Sequence, residues 1–200
     1  MLSVPDAIES RRSIRRYTAE PISEADLHAM LRLTRLAPSS MNVQPWRFIV
    51  IQNAELQQQL RAVAYDQAQV TAAPALIVLY SDMEDALAHA EETVHPGMGA
   101  EQVRSRAEGM RQNFAKMSIE ERANWANAQA NIALGFFLLA AQSMGYATSA
   151  MLGFMPEEVK ALLNLPAHTM ITAMIALGRP DEDGYPHHRH SVERIATFRN

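Results

Sequence analysis

The chain has 200 residues and not one cysteine. Disulfide staples, thiolate nucleophiles and cysteine metal centres are therefore excluded, and any redox chemistry would need a bound cofactor to carry the electrons. Glycine is scarce, at 8 residues. No strand–GxGxxG–helix unit occurs; GMGAEQ at Gly97 has two of the three glycines and follows no strand, which argues against a Rossmann nucleotide site. No G-x-S-x-G, S-x-x-K or Walker A sequence is present either, so covalent serine catalysis and P-loop phosphoryl transfer have no support. The longest apolar run, Ile132 to Ala141, is too short to span a bilayer. Asp6, Glu9 and the nearby arginines stand where a secretory signal would be apolar. The expectation is a cytoplasmic protein with no membrane attachment.

What is present is a globular composition, 48% hydrophobic and 20% charged, with a formal net charge of −4. The mildly acidic total argues against a nucleic-acid binder. The length suits one domain over 1–200, able to bury about 70% of its unfolded surface. Helices are expected at Val4 to Ser13, after an N-cap at Ser23 until Pro38, at Ala54 to Ala64, at Glu120 to Gly145 and at Pro156 to Leu163. Strands are expected at Trp46 to Gln52, Ala73 to Tyr80 and Met170 to Gly178, with a β-like SVERIATF near the C-terminus. The second half of the long helix is apolar all round, which predicts burial on every side, possible against a second subunit. Asp82 to Ile119 is the least readable stretch. Strands mixed with helices in this order give α/β or α+β.

Two constellations stand out. Arg11, Arg12, Arg15 and Arg16 crowd the segment SRRSIRRYT. On a helix they would form repelling i,i+4 pairs unless an anion lies between them or the helix ends there. Arginine suits forked contact with phosphate, and Ser13 adds a donor; the alternative is a solvated face paired with glutamates. The loop APSSMNVQPW offers Ser39, Ser40 and Asn42 to a polar ligand, or serves as an ordinary cap and turn. In PHHRHS, adjacent histidines have too few convergent ligands for a metal, so Arg189 reads better as a second anion contact. The spacing of His89, Glu92 and His95 fits a solvated helix face better than a metal site.

RRSIRRYT, APSSMNVQPWRFIVI and the basic tail ending in SVERIATF together resemble the FMN-dependent nitroreductase family. AYDQAQVTAAPALIVLY and IALGFFLLAAQSMGYATSAMLGF are also similar to family segments. The resemblance implies an α+β fold, a three-layer α-β-α sandwich whose mostly antiparallel central sheet is flanked by helices. It implies a homodimer with FMN at the interface and the C-terminal segment exchanged between subunits. It assigns Arg11, Arg12 and Ser13 to the phosphate and ribityl end of FMN, with Arg189 as the second phosphate arginine. Pro38, Ser39, Ser40 and Asn42 would reach the flavin from the other subunit. Asp66 and Gln69 would touch the ring edge or ribityl chain, and Leu152 and Gly153 would present backbone near N5. Residues 82–119 would form a variable lid. The implied activity is hydride transfer from NADH or NADPH, through the flavin, to a nitroaromatic, quinone or similar acceptor. The same fold also serves reductive dehalogenases and flavin-modifying enzymes, and a flavin-binding sensor is a further reading. Two positions depart from the family pattern. His187 stands where lysine is frequent, which makes phosphate binding weaker or pH-dependent near neutrality. Asp66 stands where asparagine is frequent.

Overall fold

A computed structural model describes residues 1–199. Its centre is a four-stranded antiparallel sheet in the order β1-β2-β4-β3, formed by Trp46–Ile51 (β1), Ala75–Ser81 (β2), Ala147–Met151 (β3) and Met170–Gly178 (β4). Successive residues of β2 face opposite sides of the sheet. Ile77 and Leu79 join Met30, Phe137 and Ile175 in one core; Leu76 and Val78 join Leu60, Val70, Val159 and Met174 in the other. Being covered twice explains why β2 reads as an unbroken apolar run.

The first face is covered by α2 (Glu24–Thr34) and the long α7 (Ile119–Ser143), the second by α3 (Ala54–Ala62), α4 (Gln69–Ala72) and α8 (Pro156–Leu162). This is the expected three-layer α+β sandwich. Ser23 caps α2 by accepting the Asp26 N–H at 3.1 Å. Ser118 and Glu121 form a reciprocal capping box at the start of α7, which fixes that end one residue before the expected Glu120.

Residues 82–119 fold into α5 (Met83–Ala88), two short 3₁₀ turns and α6 (Ala100–Phe114). Their apolar side chains, Met83, Ala86, Ala107, Met110 and Phe114, make a satellite core with Val43 and Ala126. Arg111 ties α6 back to the first turn, with its guanidinium on Glu91 and its Nε–H on the Leu87 carbonyl at 2.9 Å.

Four expectations change. The N-terminal helix α1 is Val4–Ser10 and stops before the arginines, because Arg11 is already extended at φ −60°, ψ 128°. No i,i+4 stacking of like charges therefore arises. The strand β3 was not foreseen; ATSAM is small and polar, and it is a strand because it pairs with β4 from Ala147↔Gly178 to Met151↔Met174. The β-like C-terminal stretch makes one helical turn, α9 (Val192–Ile195), and lies outside the sheet of its own chain. The long helix is also not buried on every side. Ala126, Ala130, Ala133, Phe137 and Ala141 face the core, while Ile132 and Phe136 are exposed.

Candidate functional site

The site begins where α1 ends. Beyond Ser10 the chain runs extended along the free edge of β3, with a parallel bridge Ser13↔Thr148 and the Ile14 N–H donating to the Thr148 carbonyl at 3.1 Å. An extended chain alternates its side chains. Ile14 is thereby buried beneath the segment. Arg11, Arg12, Ser13 and Arg15 line a cavity of about 190 Å³ together with Tyr185, Pro186, His187 and Arg189 from the C-terminal tail. The tail comes this close because Gly184 adopts φ +69°; a Cβ there would sit 2.9 Å from Ile14 Cδ1 and 3.0 Å from Arg12 Cβ.

The cavity is strongly cationic. Among the described residues no carboxylate pairs with Arg11, Arg12 or Arg189. Arg12 donates to the Glu9 and Arg11 carbonyls at the C-terminal end of α1, at 2.6 and 3.0 Å, and Arg189 to the His188 carbonyl at 2.8 Å. Partial burial, with Arg189 and Arg12 close by, pushes the Arg11 guanidinium below its ordinary value. Desolvation, followed by Arg12, Arg189 and Arg11, likewise lowers His187. Unneutralised cations held together in this way are suited to receive a multiply charged anion.

A second group sits at the far end of β3. Gln67 Nε2 donates to the Gly153 carbonyl at 2.7 Å and the Ala64 carbonyl at 3.1 Å, and Gln69 Nε2 donates to Gln67 Oε1 at 3.1 Å. Gln69 is buried, so its amide supports the turn from within. Leu152 is exposed beside it. Tyr65 and Asp66 take left-handed conformations, at φ +52° and +54°, and the exposed Asp66 carboxylate lies 3.7 Å from Arg61 Nε. From Thr148 to Leu152 the strand rises about 13 Å, so a charged end and an uncharged end lie along one sheet edge.

The third group is remote. Pro38, Ser39, Ser40 and Asn42 belong to a loop in which Met41, Asn42 and Gln44 are all left-handed, at φ +54°, +58° and +48°. Ser39 Oγ accepts the Gln44 N–H at 3.0 Å, the Ser40 N–H donates to Gln129 Oε1 at 2.9 Å, and Asn42 Nδ2 donates to the Thr93 carbonyl at 2.7 Å. The arginine segment is tied to the same helix α7 at Gln142, which donates to Ser10 Oγ at 3.1 Å. Gln129 and Gln142 are about 20 Å apart along the helix axis. Within one chain, the loop and the arginines therefore do not meet.

The model of the nitroreductase family matches residues 8–179. This chain belongs to the nitroreductase family. A similar protein named NADH dehydrogenase, from Thermus thermophilus, is 43% identical over 199 residues, which cover 100% of this chain and 97% of the relative. YdgI of Bacillus subtilis, named as an NAD(P)H nitroreductase, is 28% identical over 97% of this chain and 96% of its own length. The fold is likewise that of solved nitroreductases. A protein of Exiguobacterium sibiricum, described as a nitroreductase in complex with FMN, superposes with a TM-score of 0.90 at 26% identity, covering 100% of this chain and 98% of that one.

Two residues of these groups lie outside those assigned from the sequence. Arg15, to which the resemblance assigns no role, lines the cationic cavity; alternation from Arg11 through Ser13 was the available signal. Gln67, overlooked between Asp66 and Gln69, carries the hydrogen bond to Gly153. Among the described residues no cluster of His, Cys, Asp or Glu could hold a metal. No described helix is long and apolar enough to cross a membrane.

Proposed function

We propose that this chain is an FMN-dependent NAD(P)H oxidoreductase. The observation that carries the reading is the cavity beside β3 where Arg11, Arg12 and Arg189 converge without a carboxylate partner. A phosphate monoester supplies the missing charge, and Ser13 adds a hydroxyl donor. Gly153 and Leu152, steadied by Gln67 and Gln69, offer backbone and an apolar surface at the other end of the strand for a planar ring, with Asp66 at its edge.

The chemistry such a group supplies when bound is reversible hydride transfer, from NADH or NADPH to the flavin and on to a nitroaromatic, quinone or similar small acceptor, in a ping-pong cycle. The residues have no acid or base work to do. They hold the phosphate, orient the ring and leave one face open, so that donor and acceptor approach in turn at reacting distance. A cytoplasmic location belongs to the same reading, since NADH and NADPH are available there.

The reading includes a homodimer. Ile132 and Phe136 on α7 are exposed, as are Val4, Ile8 and Leu36 around them, an apolar face of the kind that marks an interface. Pairing through it offers Pro38, Ser39, Ser40 and Asn42 to the partner's flavin, in keeping with their distance from their own arginines. The tail carries exposed Val192, Ile195 and Phe198, suited to lie along the partner's sheet edge.

The test is an absorbance spectrum of the purified protein, followed anaerobically after adding NADPH and then NADH. Oxidised-flavin bands that bleach establish a flavin reductase and name the donor. A colourless protein that cannot be reloaded with FMN refutes the proposal, and flavin that stays oxidised with both donors refutes the reductase activity.

A further inference from the structure

The cationic cavity is assembled from two stretches of chain far apart in sequence, and something must hold them in register. Arg11, Arg12 and Arg15 come from the N-terminal segment, Arg189 from the tail. Two backbone hydrogen bonds join the stretches, the Thr18 N–H on the Arg179 carbonyl at 3.0 Å and the Asp181 N–H on the Arg16 carbonyl at 3.0 Å, and together they make the bridge Tyr17↔Pro180. Neither bond involves a residue that lines the cavity. Glu182 ties the stretches a third time. Its Oε1 accepts the Arg15 N–H at 2.7 Å and the Arg16 N–H at 3.3 Å, and its Oε2 accepts from Arg16 Nε at 3.1 Å.

We propose that Glu182 is a positioning residue of the anion site: its carboxylate clamps the Arg15–Arg16 backbone and so sets the spacing between Arg11, Arg12 and Arg189. This rests on the phosphate reading given above and names the group that makes it geometrically workable.

Several observations carry the proposal. Glu182 is a carboxylate bonded to the arginine segment, yet it does not line the cavity. A free glutamate here would fold onto Arg11 or Arg15 and compete with an incoming anion. Instead both oxygens are committed to two N–H groups and to Arg16, whose side chain points into solvent. The side chain of Glu182 is only 22% exposed, so the clamp is partly shielded from water. The Arg15 N–H, above all, holds the carboxyl below its ordinary value, so it stays ionised at neutral pH. Two residues further on, Gly184 presses the tail onto Arg12 and Ile14. The carboxylate thus accounts for Arg15 and Arg16 together: Arg16 neutralises Glu182, and Arg15 is fixed through its backbone with its guanidinium free.

The experiment compares wild type, Glu182→Gln and Glu182→Ala for binding of FMN and of riboflavin, which lacks the phosphate, and for thermal protection by inorganic phosphate. Glutamine keeps the size and one acceptor oxygen, and the N–H groups freed in the alanine variant can turn to water, so both variants should fold. Expected is a loss of FMN affinity on the order of tenfold in Glu182→Ala, the usual scale for a partner acting through binding residues. A smaller loss is expected in Glu182→Gln, with riboflavin affinity unchanged and phosphate protection reduced in both. FMN and riboflavin weakening together would mean general loosening and would overturn the proposal, as would unchanged FMN affinity. A wild type that binds neither flavin but is protected by phosphate, with protection lost in Glu182→Ala, would refute the flavin reading and leave the clamp standing. A wild type that responds to no phosphate compound would overturn both.

Discussion

Replacing Arg11 by methionine should have opposite effects on the empty and the loaded protein. Methionine keeps the apolar reach of the side chain and removes the charge. In the empty protein that charge is a burden, since Arg11 is held below its ordinary value by partial burial and by Arg189 and Arg12, with no carboxylate to offset them. The apo melting temperature should therefore stay level or rise. In the loaded protein a charge-assisted contact to phosphate is lost, about 1.5–3 kcal/mol. That is roughly a tenfold to hundredfold rise in Kd for FMN. At a fixed FMN concentration of about 100 times the wild-type Kd, ligand binding adds about 2.7 kcal/mol. A tenfold weaker variant gains about 1.4 kcal/mol under the same conditions. For a domain of this size the FMN-induced rise in Tm should then shrink by roughly 3–5 °C. Thermal melts with and without FMN, beside a fluorescence titration of FMN, measure both halves. An apo Tm that drops while the FMN-induced rise stays intact would refute the reasoning, because Arg11 would then be a structural residue and the cavity no receptor.

Other expectations follow from the same geometry. His187 is pushed below its ordinary value by desolvation and by Arg12, Arg189 and Arg11, and a bound phosphate would act the other way. His187→Lys should bind FMN more tightly at neutral pH, and its advantage over wild type should narrow as pH falls from about 8 to about 5.5; the ratio of the two affinities cancels the phosphate's own titration, and a constant ratio would sink the idea. Glu91 is pushed down to about 2 by its hydrogen bonds from Arg111. Its stabilisation is present above the ordinary 4.5 and is lost as pH falls towards about 2, so hydrogen exchange in Ala100–Phe114 should rise across that window, and an acid titration of Glu91→Gln should lack the step. Asp66→Asn should change stability by no more than about 0.5 kcal/mol, since asparagine tolerates φ +54° and the exposed pair with Arg61 is weak; by potentiometric titration the flavin midpoint should rise, and an unchanged midpoint would put the carboxylate away from the ring. Gly135→Leu should leave the helix intact but shift the protein towards monomer in analytical ultracentrifugation, and an unaltered dimer would refute the pairing argued below.

The legible parts of this fold are those whose partners do not matter. The apolar run of β2 and the turn chemistry at Ser23 and Pro38 announce themselves locally. The strand Ala147–Met151 does not, because its residues become a strand only through the ladder with Met170–Gly178. The arginine segment was visible as a cluster, and its motif pointed to phosphate. That it leaves the helix at Arg11 depends on Ser13 and Ile14 finding Thr148, which no local signal contains. Glu182 was invisible for the same reason: it meets the Arg15 N–H from 167 positions away. The left-handed run at Met41, Asn42 and Gln44 contains no glycine, so nothing in composition marks it.

The remaining question is how two half-sites about 20 Å apart on one helix can serve one ligand. Helix α7 holds the serine loop at Gln129 and the arginine segment at Gln142. The midpoint of those two anchors falls at Gly135–Phe136, within the exposed apolar stripe that begins at Ile132. Gly135 itself faces open space; a Cβ there would meet nothing within 4 Å. An exposed mid-helix glycine costs about 1 kcal/mol against alanine, and nothing in the single chain repays it. A second copy does. In a two-fold interface, residue i meets residue j and j meets i. Two α7 helices crossing antiparallel at Gly135 would approach closely there and set Gln129 of one chain opposite the partner's Gln142. Both serine loops then arrive at arginine segments of the other subunit, by one symmetry operation. On this reading the helix is the ruler of the site. Its buried alanine stripe brings it onto the sheet, its exposed stripe selects the partner, and the equal spacing of Gln129 and Gln142 from the crossing point sets each serine loop opposite the other subunit's arginine segment.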